Sequence, residues 1–154
     1  MKFKHVVVAL TAIALSSSTL AQVKPEQQIK WRQSVMQVQG WSMARIKANI
    51  DGTYNKDQVI QAANILQATA NGGLGSLFTA GTEKGKGWHD TETKPEMFTD
   101  GGKVKEVAGA FNKEANELAK VAATGDAAAV KAQFGKVGQA CKGCHDKFRV
   151  EDKK

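Results

Sequence analysis

The sequence predicts an all-α fold: an antiparallel up-down-up-down four-helix bundle with one long loop between its second and third helices. Three observations predict it. Apolar residues of the 154-residue chain recur at three- and four-residue spacings and do not alternate with period two over a strand's length. Four such stretches are bounded by residues that start and stop helices. Two of the three connections are so short that they force antiparallel neighbours, whereas the third, Asn71 to Thr99, is long and glycine-rich.

The first predicted helix runs from Pro25 to Asn49. Proline suits a first helical position because its missing N–H has no intrahelical partner there. Ile29, Met36, Met43 and Ile50 stand seven apart and define one seam, which Val35 and Ile46 widen. Asp51-Gly52 ends the helix with turn chemistry. The second helix, Lys56 to Ala70, follows Asn55 as N-cap and turns Val59, Ala62, Ala63, Leu66 and Ala70 inward. Asn71-Gly72-Gly73 stops it, and a short helical turn near Leu74 to Phe78 fits the loop beyond. The third helix, Gly101 to Ala123, is capped by Asp100. Its Val104, Phe111 and Leu118 are again seven apart, beside Val107, Ala108, Ala115 and Ala122. Thr124-Gly125-Asp126 turns the chain, and Asp126 caps the fourth helix, Ala127 to Arg149. There Val130, Phe134, Val137, Cys141, Cys144 and Phe148 step by fours and threes, a continuous inward seam.

Residues 1–21 read as a secretory signal peptide. Lys2 and Lys4 begin it, Val6 to Leu15 is its apolar core, and the small residues Ser16 to Ala21 end at a cleavage point. An apolar core of about ten residues is too short to cross ~30 Å of hydrocarbon. No later stretch reaches spanning length, so no membrane span is expected. Residues 22–154 are expected to form one exported domain. The two signal lysines account for two of the seven formal charges, leaving +5 on that domain. Composition excludes collagen, low-complexity disorder and disulfide scaffolds. The lysines are scattered and aromatics are few, so a nucleic-acid partner is not expected either.

The chemistry resides in Cys141-Lys142-Gly143-Cys144-His145. C-x-x-C-H marks covalent attachment of a c-type haem. Two thiols add across two vinyl groups as thioethers, and the histidine that follows is placed to reach the iron. The predicted cofactor is one haem c, held by Cys141 and Cys144 with His145 as axial ligand. Three competing readings are weaker. A redox dithiol wants C-x-x-C behind a strand in a βαβ setting. Structural zinc wants four ligands, and the domain adds only His89 as a soft one. Two cysteines three apart on a helix are poorly placed for a disulfide. Both cysteines fall on the inward seam, so the macrocycle is expected between facing helices, where bundles commonly house cofactors. The alanines and glycines of the second and third helices leave room for it.

An attachment motif at the C-terminal end of a four-helix bundle, on an exported chain of this length, resembles the class II c-type cytochromes and most nearly the cytochrome c′ family. The resemblance spans Pro25 to Arg149 and rests on three segments: Lys30-Trp31-Arg32-Gln33-Ser34-Val35-Met36, Glu92-Thr93-Lys94-Pro95-Glu96, and Cys141 through Arg149. It implies that Cys141 and Cys144 hold the haem and that His145 is the proximal ligand. It places Arg32 and Gln33 against the haem and its propionates, and closes Glu92 and Thr93 over the haem edge. It sets Arg149 near the proximal face, one turn beyond His145, and Met36 at the distal position. It also implies a homodimer packed through the first two helices, for which Val38 and Trp41, off the main seam, give support in the sequence.

Residue types alone leave plainer readings open. Arg32 is readable as a solvated helix arginine, Glu92 and Thr93 as ordinary loop residues, and Arg149 as a counterpart to the helix dipole. His89 reads as a surface histidine, Met43 as core, and Trp31, Trp41 and Trp88 as packing or dimer-surface residues.

Met36 separates two functions. A thioether is a good sixth ligand, and His/Met ligation raises the reduction potential, as suits an electron carrier. An open distal position instead admits nitric oxide or carbon monoxide, and the Glu92-Thr93-Lys94-Pro95-Glu96 loop favours that case. The expectation is a periplasmic haem protein acting in electron transfer, in binding NO or CO, or in both. It is not expected to be an enzyme, since no second acid/base or nucleophile constellation is visible. The positive charge favours an acidic redox partner through electrostatic steering.

Overall fold

The computed structural model describes residues 23–150. The expected signal peptide lies outside the described residues. Four long helices form the bundle: α1 (Pro25–Asp51), α2 (Lys56–Asn71), α4 (Gly101–Thr124) and α5 (Ala127–Phe148). The loop between α2 and α4 holds a 3-10 turn, Leu74–Leu77, and a single-turn helix, α3 (Glu96–Thr99). The 3-10 turn falls where the sequence allows one; α3 was not expected. Consecutive long helices pack side by side, and α5 closes back on α1 through a sparser contact.

The ends form for the reasons the sequence supplies. Pro25 occupies the first turn of α1. The Asn55 side chain accepts from Gln58 N–H, and that of Asp100 from Lys103 N–H. Asp126 accepts from both Ala128 and Ala129 N–H groups. Gly125 ends α4 in the left-handed region at φ 81°.

The main apolar cluster joins Ile46 near the end of α1, Val59, Ala62, Ala63 and Leu66 on α2, Leu118 and Ala122 late in α4, and Val130 and Val137 early in α5. Each fully buried Ile, Leu or Val there contributes roughly 1.5–3 kcal/mol. The inward stripe expected of the second helix is buried at every position. Toward the opposite end Ile29 and Phe148 are buried, but much of the expected seams is only half buried. Met36 on α1, Val104 and Phe111 on α4, and Cys141 and Cys144 on α5 all remain partly open.

Three expectations are corrected. The inner face of α1 is more polar than an Ile/Met seam: Ile29 and Ile46 are buried, but so are Arg32, Gln39, Ser42 and Asn49, while Met36, Met43 and Ile50 are half buried. Each buried polar residue has a partner, and that is what permits its burial. Ala108 is exposed rather than inward. The last helix stops at Phe148, so Arg149 stands in extended backbone (φ −109°, ψ 136°) and pairs with Thr93 in an antiparallel bridge.

Candidate functional site

The motif occupies the last turns of α5. Cys141 and Cys144 form no disulfide, and both are half buried. Burial pushes both thiol pKa values up, and for Cys144 the neighbouring Cys141 adds to it. His145 is exposed as a residue. Enough protein surrounds its imidazole for desolvation to lower the pKa; the Arg149 charge lowers it further and Asp146 opposes. A neutral imidazole is the form that ligates a metal. The helix turn is braced by the Lys142–Asp146 ion pair and by Arg149 N–H donating to His145 O at 2.9 Å.

The long loop is fastened to this turn at consecutive residues. Arg149 Nε donates to Glu92 Oε2 at 2.8 Å. Val150 N–H donates to Glu92 O, and Lys94 N–H to Phe148 O, each at 2.8 Å. Glu92, Thr93 and Arg149 are therefore gathered with His145 at the foot of α5.

The other side of the loop is fastened to α1. Arg32 is 3% exposed, which overturns the solvated reading. Its Nη1 donates to Thr82 Oγ1 (2.8 Å) and Leu77 O (3.2 Å). Its Nη2 donates to Thr82 O and Thr91 Oγ1, both at 2.7 Å. The Phe78 ring lies 4.8 Å from the guanidinium. Both Nη groups are thus engaged with loop acceptors, and Thr91 Oγ1 passes the connection on to Thr93 Oγ1 at 3.1 Å. Gln33 holds the next segment: Nε2 donates to His89 O (3.0 Å), and Oε1 accepts from Trp88 N–H (2.7 Å). Thr82 and Thr91 carry no signal in the sequence that would mark them. They matter only because folding brings a buried arginine to them.

Met36 is half buried on α1, close in sequence to this clamp. A half-open cavity of about 350 Å³ lies between α1, the end of α2 and the 3-10 turn, lined by Val35, Ala68, Thr69, Leu74 and Leu77 among others. It touches neither cysteine. Among the described residues no group of three His, Cys, Asp or Glu side chains is placed to hold a metal ion directly.

The donor set fits a covalently held haem. Two half-buried thiols and an adjacent imidazole stand on α5, where its contact with α1 is sparse and where apolar residues of α1 and α4 stay half open. Those apolar surfaces are the kind a macrocycle would cover.

Comparison with known proteins agrees. The family model for Cytochrome C′ matches residues 27–149. The cytochrome c′ of Rhodocyclus tenuis is 72% identical over 130 residues, covering 84% of this chain and 98% of the relative. A solved cytochrome c′ described as having an unusual ligand-controlled dimer dissociation is 49% identical with a TM-score of 0.82, covering 85% of this chain and all of that one. Two variants of the Alcaligenes xylosoxidans cytochrome c prime, one solved as a nitric oxide complex and one bound to carbon monoxide, are each 28% identical with TM-scores of 0.74, covering 84% of this chain and 98% of theirs. With the bundle, the half-buried Cys141/Cys144 pair and the match along nearly all of the described chain, the protein belongs to the cytochrome c′ family and carries one covalently attached haem c.

Proposed function

We propose that Cys141 and Cys144 form the two thioether links, that His145 is the proximal iron ligand, and that the protein binds NO or CO at an open distal position and exchanges electrons in the periplasm. The observation that carries this reading is the pair of half-buried thiols beside an imidazole of lowered pKa on the last turn of α5. The bound haem supplies an iron that cycles between Fe(II) and Fe(III) and accepts a diatomic ligand. The chain's own residues hold and cover it. Arg32 and Gln33 fix the loop on α1 and stand on the side of the haem and its propionates, while Glu92 and Thr93 close over the haem edge. Arg149 sets a cation beside the proximal ligand. Export by residues 1–21 and a single domain over 22–154 complete the reading. The related structures bound to NO and CO support the gas-binding role, and the relative with ligand-controlled dimer dissociation supports a homodimer.

A second reading makes Met36 the sixth ligand of an electron carrier. Its support is that Met36 stays half open on α1 rather than being sealed in the core. The visible spectrum of the purified protein separates the two. A broad high-spin band that shifts with CO supports the open site. A sharp reduced α-band that changes in Met36→Ala supports the second reading. Haem still held covalently by Cys141→Ser/Cys144→Ser would overturn the attachment assignment.

A further inference from the structure

The three tryptophans of the chain are all exposed, and all stand on or against the outer side of α1. Trp31, Val38 and Trp41 are 43%, 40% and 53% exposed at spacings of seven and three, one stripe away from the buried face. Trp88 belongs to the loop, yet it is laid along that stripe. Its indole Nε1 donates to Ser34 Oγ at 2.9 Å, its backbone N–H donates to Gln33 Oε1 at 2.7 Å, and Lys30 Nζ lies 5.2 Å from its ring. Ser34 is oriented for this, because its own hydroxyl donates to Lys30 O at 2.8 Å.

The close approach is built into the chain. A Cβ on Gly87 would stand 2.3 Å from Gln33 Oε1, 2.8 Å from Lys30 N and 2.9 Å from Ile29 Cγ2. Only glycine lets the loop backbone come against α1 here and deliver the next side chain to Ser34. Trp88 nevertheless remains 61% exposed. The contact fixes the indole in place without covering it.

We propose that Trp88 makes the long loop part of the α1 face on which a second copy of this chain docks, so that docking and the seating of the loop are one linked equilibrium. The proposal rests on the homodimer reading above and goes beyond it by naming the loop residue and the coupling. Fixed, amphipathic indoles at the centre of an exposed apolar patch are the groups that dominate interfaces. A second copy is the fitting occupant because the face sets a large exposed side chain, Trp41, beside small exposed ones, Ala44 and Ala48, on one helix, the pairing that an isologous two-fold contact uses. The stretch from Trp31 to Ala44 also lacks any carboxylate, so the middle of the face is apolar and neutral apart from its cationic ends. The coupling runs through Gln33, which holds Trp88 and His89 together.

Sedimentation of the haem-loaded protein over a range of concentrations tests the proposal. Trp41→Ala and Trp88→Ala should each weaken dimerisation about tenfold or more. A Trp88→Ala dimer as tight as the wild type, with Trp41→Ala weakened, overturns the loop's part and leaves the homodimer reading standing. A wild-type protein that stays monomeric throughout, whether or not it binds anionic phospholipid vesicles, overturns both. Helix content and the haem spectrum check that Trp88→Ala is folded. Trp88→Phe, which keeps a ring and loses only the bond to Ser34, should weaken dimerisation less. The linkage has its own readout: hydrogen exchange of the Trp88 and His89 amides should slow as dimer accumulates, and exchange independent of concentration overturns the coupling.

Discussion

Arg149 and Glu92 are joined at 2.8 Å across the gap between the end of α5 and the long loop, four residues beyond the histidine of the attachment motif. Both side chains are substantially exposed, 47% and 37%, so solvent screens the pair and its net contribution to stability is below about 1 kcal/mol. The backbone bonds on either side of it, from Val150 to Glu92 and from Lys94 to Phe148, hold the loop without it. Glu92→Gln should therefore leave the melting temperature within about 4 °C of the parent protein. What it should change is the field at His145, since Glu92 no longer offsets part of the Arg149 charge. Resonance Raman of the ferrous protein should show a shifted iron–histidine stretch in Glu92→Gln. An unchanged stretch with an unchanged melting temperature would mean the pair has no influence on the proximal side.

Arg32→Ala should be far more damaging. It removes four hydrogen bonds donated to Leu77 O, Thr82 Oγ1, Thr82 O and Thr91 Oγ1. Thr82 is itself 1% exposed: its carbonyl oxygen loses the partner Arg32 supplied where water scarcely reaches, while its hydroxyl keeps the bond it donates to Thr79 O. An unsatisfied buried group costs about 1–3 kcal/mol, and charged donors stand at the upper end. A loss of roughly 3–5 kcal/mol is expected, measured by urea denaturation, together with proteolytic cleavage between Thr79 and Thr93. Arg32→Lys should recover only part of this, because one ammonium lacks the planar fork that spans Thr82 and Thr91. A variant cleaved no faster than the parent would show that the loop is held elsewhere.

The helices were legible because their signals are local. Asn55, Asp100 and Asp126 announce their helices within three residues of the N–H groups they bind. The attachment motif is likewise contiguous. The inner face of α1 was not legible, because periodicity counts apolar residues and that face is largely polar. Gln39 is buried against Thr69 Oγ1, and Asn49 donates to Arg45 O and Gln58 Oε1 while accepting from Asn55 N–H. Such residues read as solvent-facing until the partner from another segment is known. The same holds for Thr82, Thr91 and Trp88, whose roles depend on partners more than fifty positions away in α1, or fifty in the case of Thr82. Arg149 shows the converse: helical pattern carried on through it, but pairing with Thr93 drew it into extended backbone.

Gly87→Ala tests the seating of the loop by sterics alone. Gly87 does not adopt a positive φ, so alanine meets no backbone strain there. The added methyl would fall within 2.9 Å of three α1 atoms, one of them the Lys30 backbone nitrogen, which cannot swing aside. The loop must therefore lift from the helix. A destabilisation of about 1–3 kcal/mol is expected, as for overpacking elsewhere. Cross-peaks between the Trp88 indole N–H and Ser34 should vanish from the NMR spectrum. If they persist and stability is unchanged, the approach of loop to helix is looser than these distances require.

The raised pKa values of Cys141 and Cys144 make a pH prediction for the folded chain before haem is attached. Burial favours the neutral thiol, so the folded chain keeps protons that the unfolded chain releases near the ordinary thiol value of about 8.5. Below that value both states are protonated and the stabilisation is complete. Above it the unfolded state binds fewer protons, so stability falls as pH rises towards and through the folded-state values. Only the thiolate attacks an alkylating reagent. Iodoacetamide labelling of haem-free protein, followed by mass spectrometry, should therefore show both cysteines reacting with a pH midpoint above that of a free cysteine peptide. The Cys141→Ala/Cys144→Ala variant should lose less stability across the same alkaline range. A labelling midpoint at or below that of the peptide would mean that the thiols are not shielded on α5 before attachment.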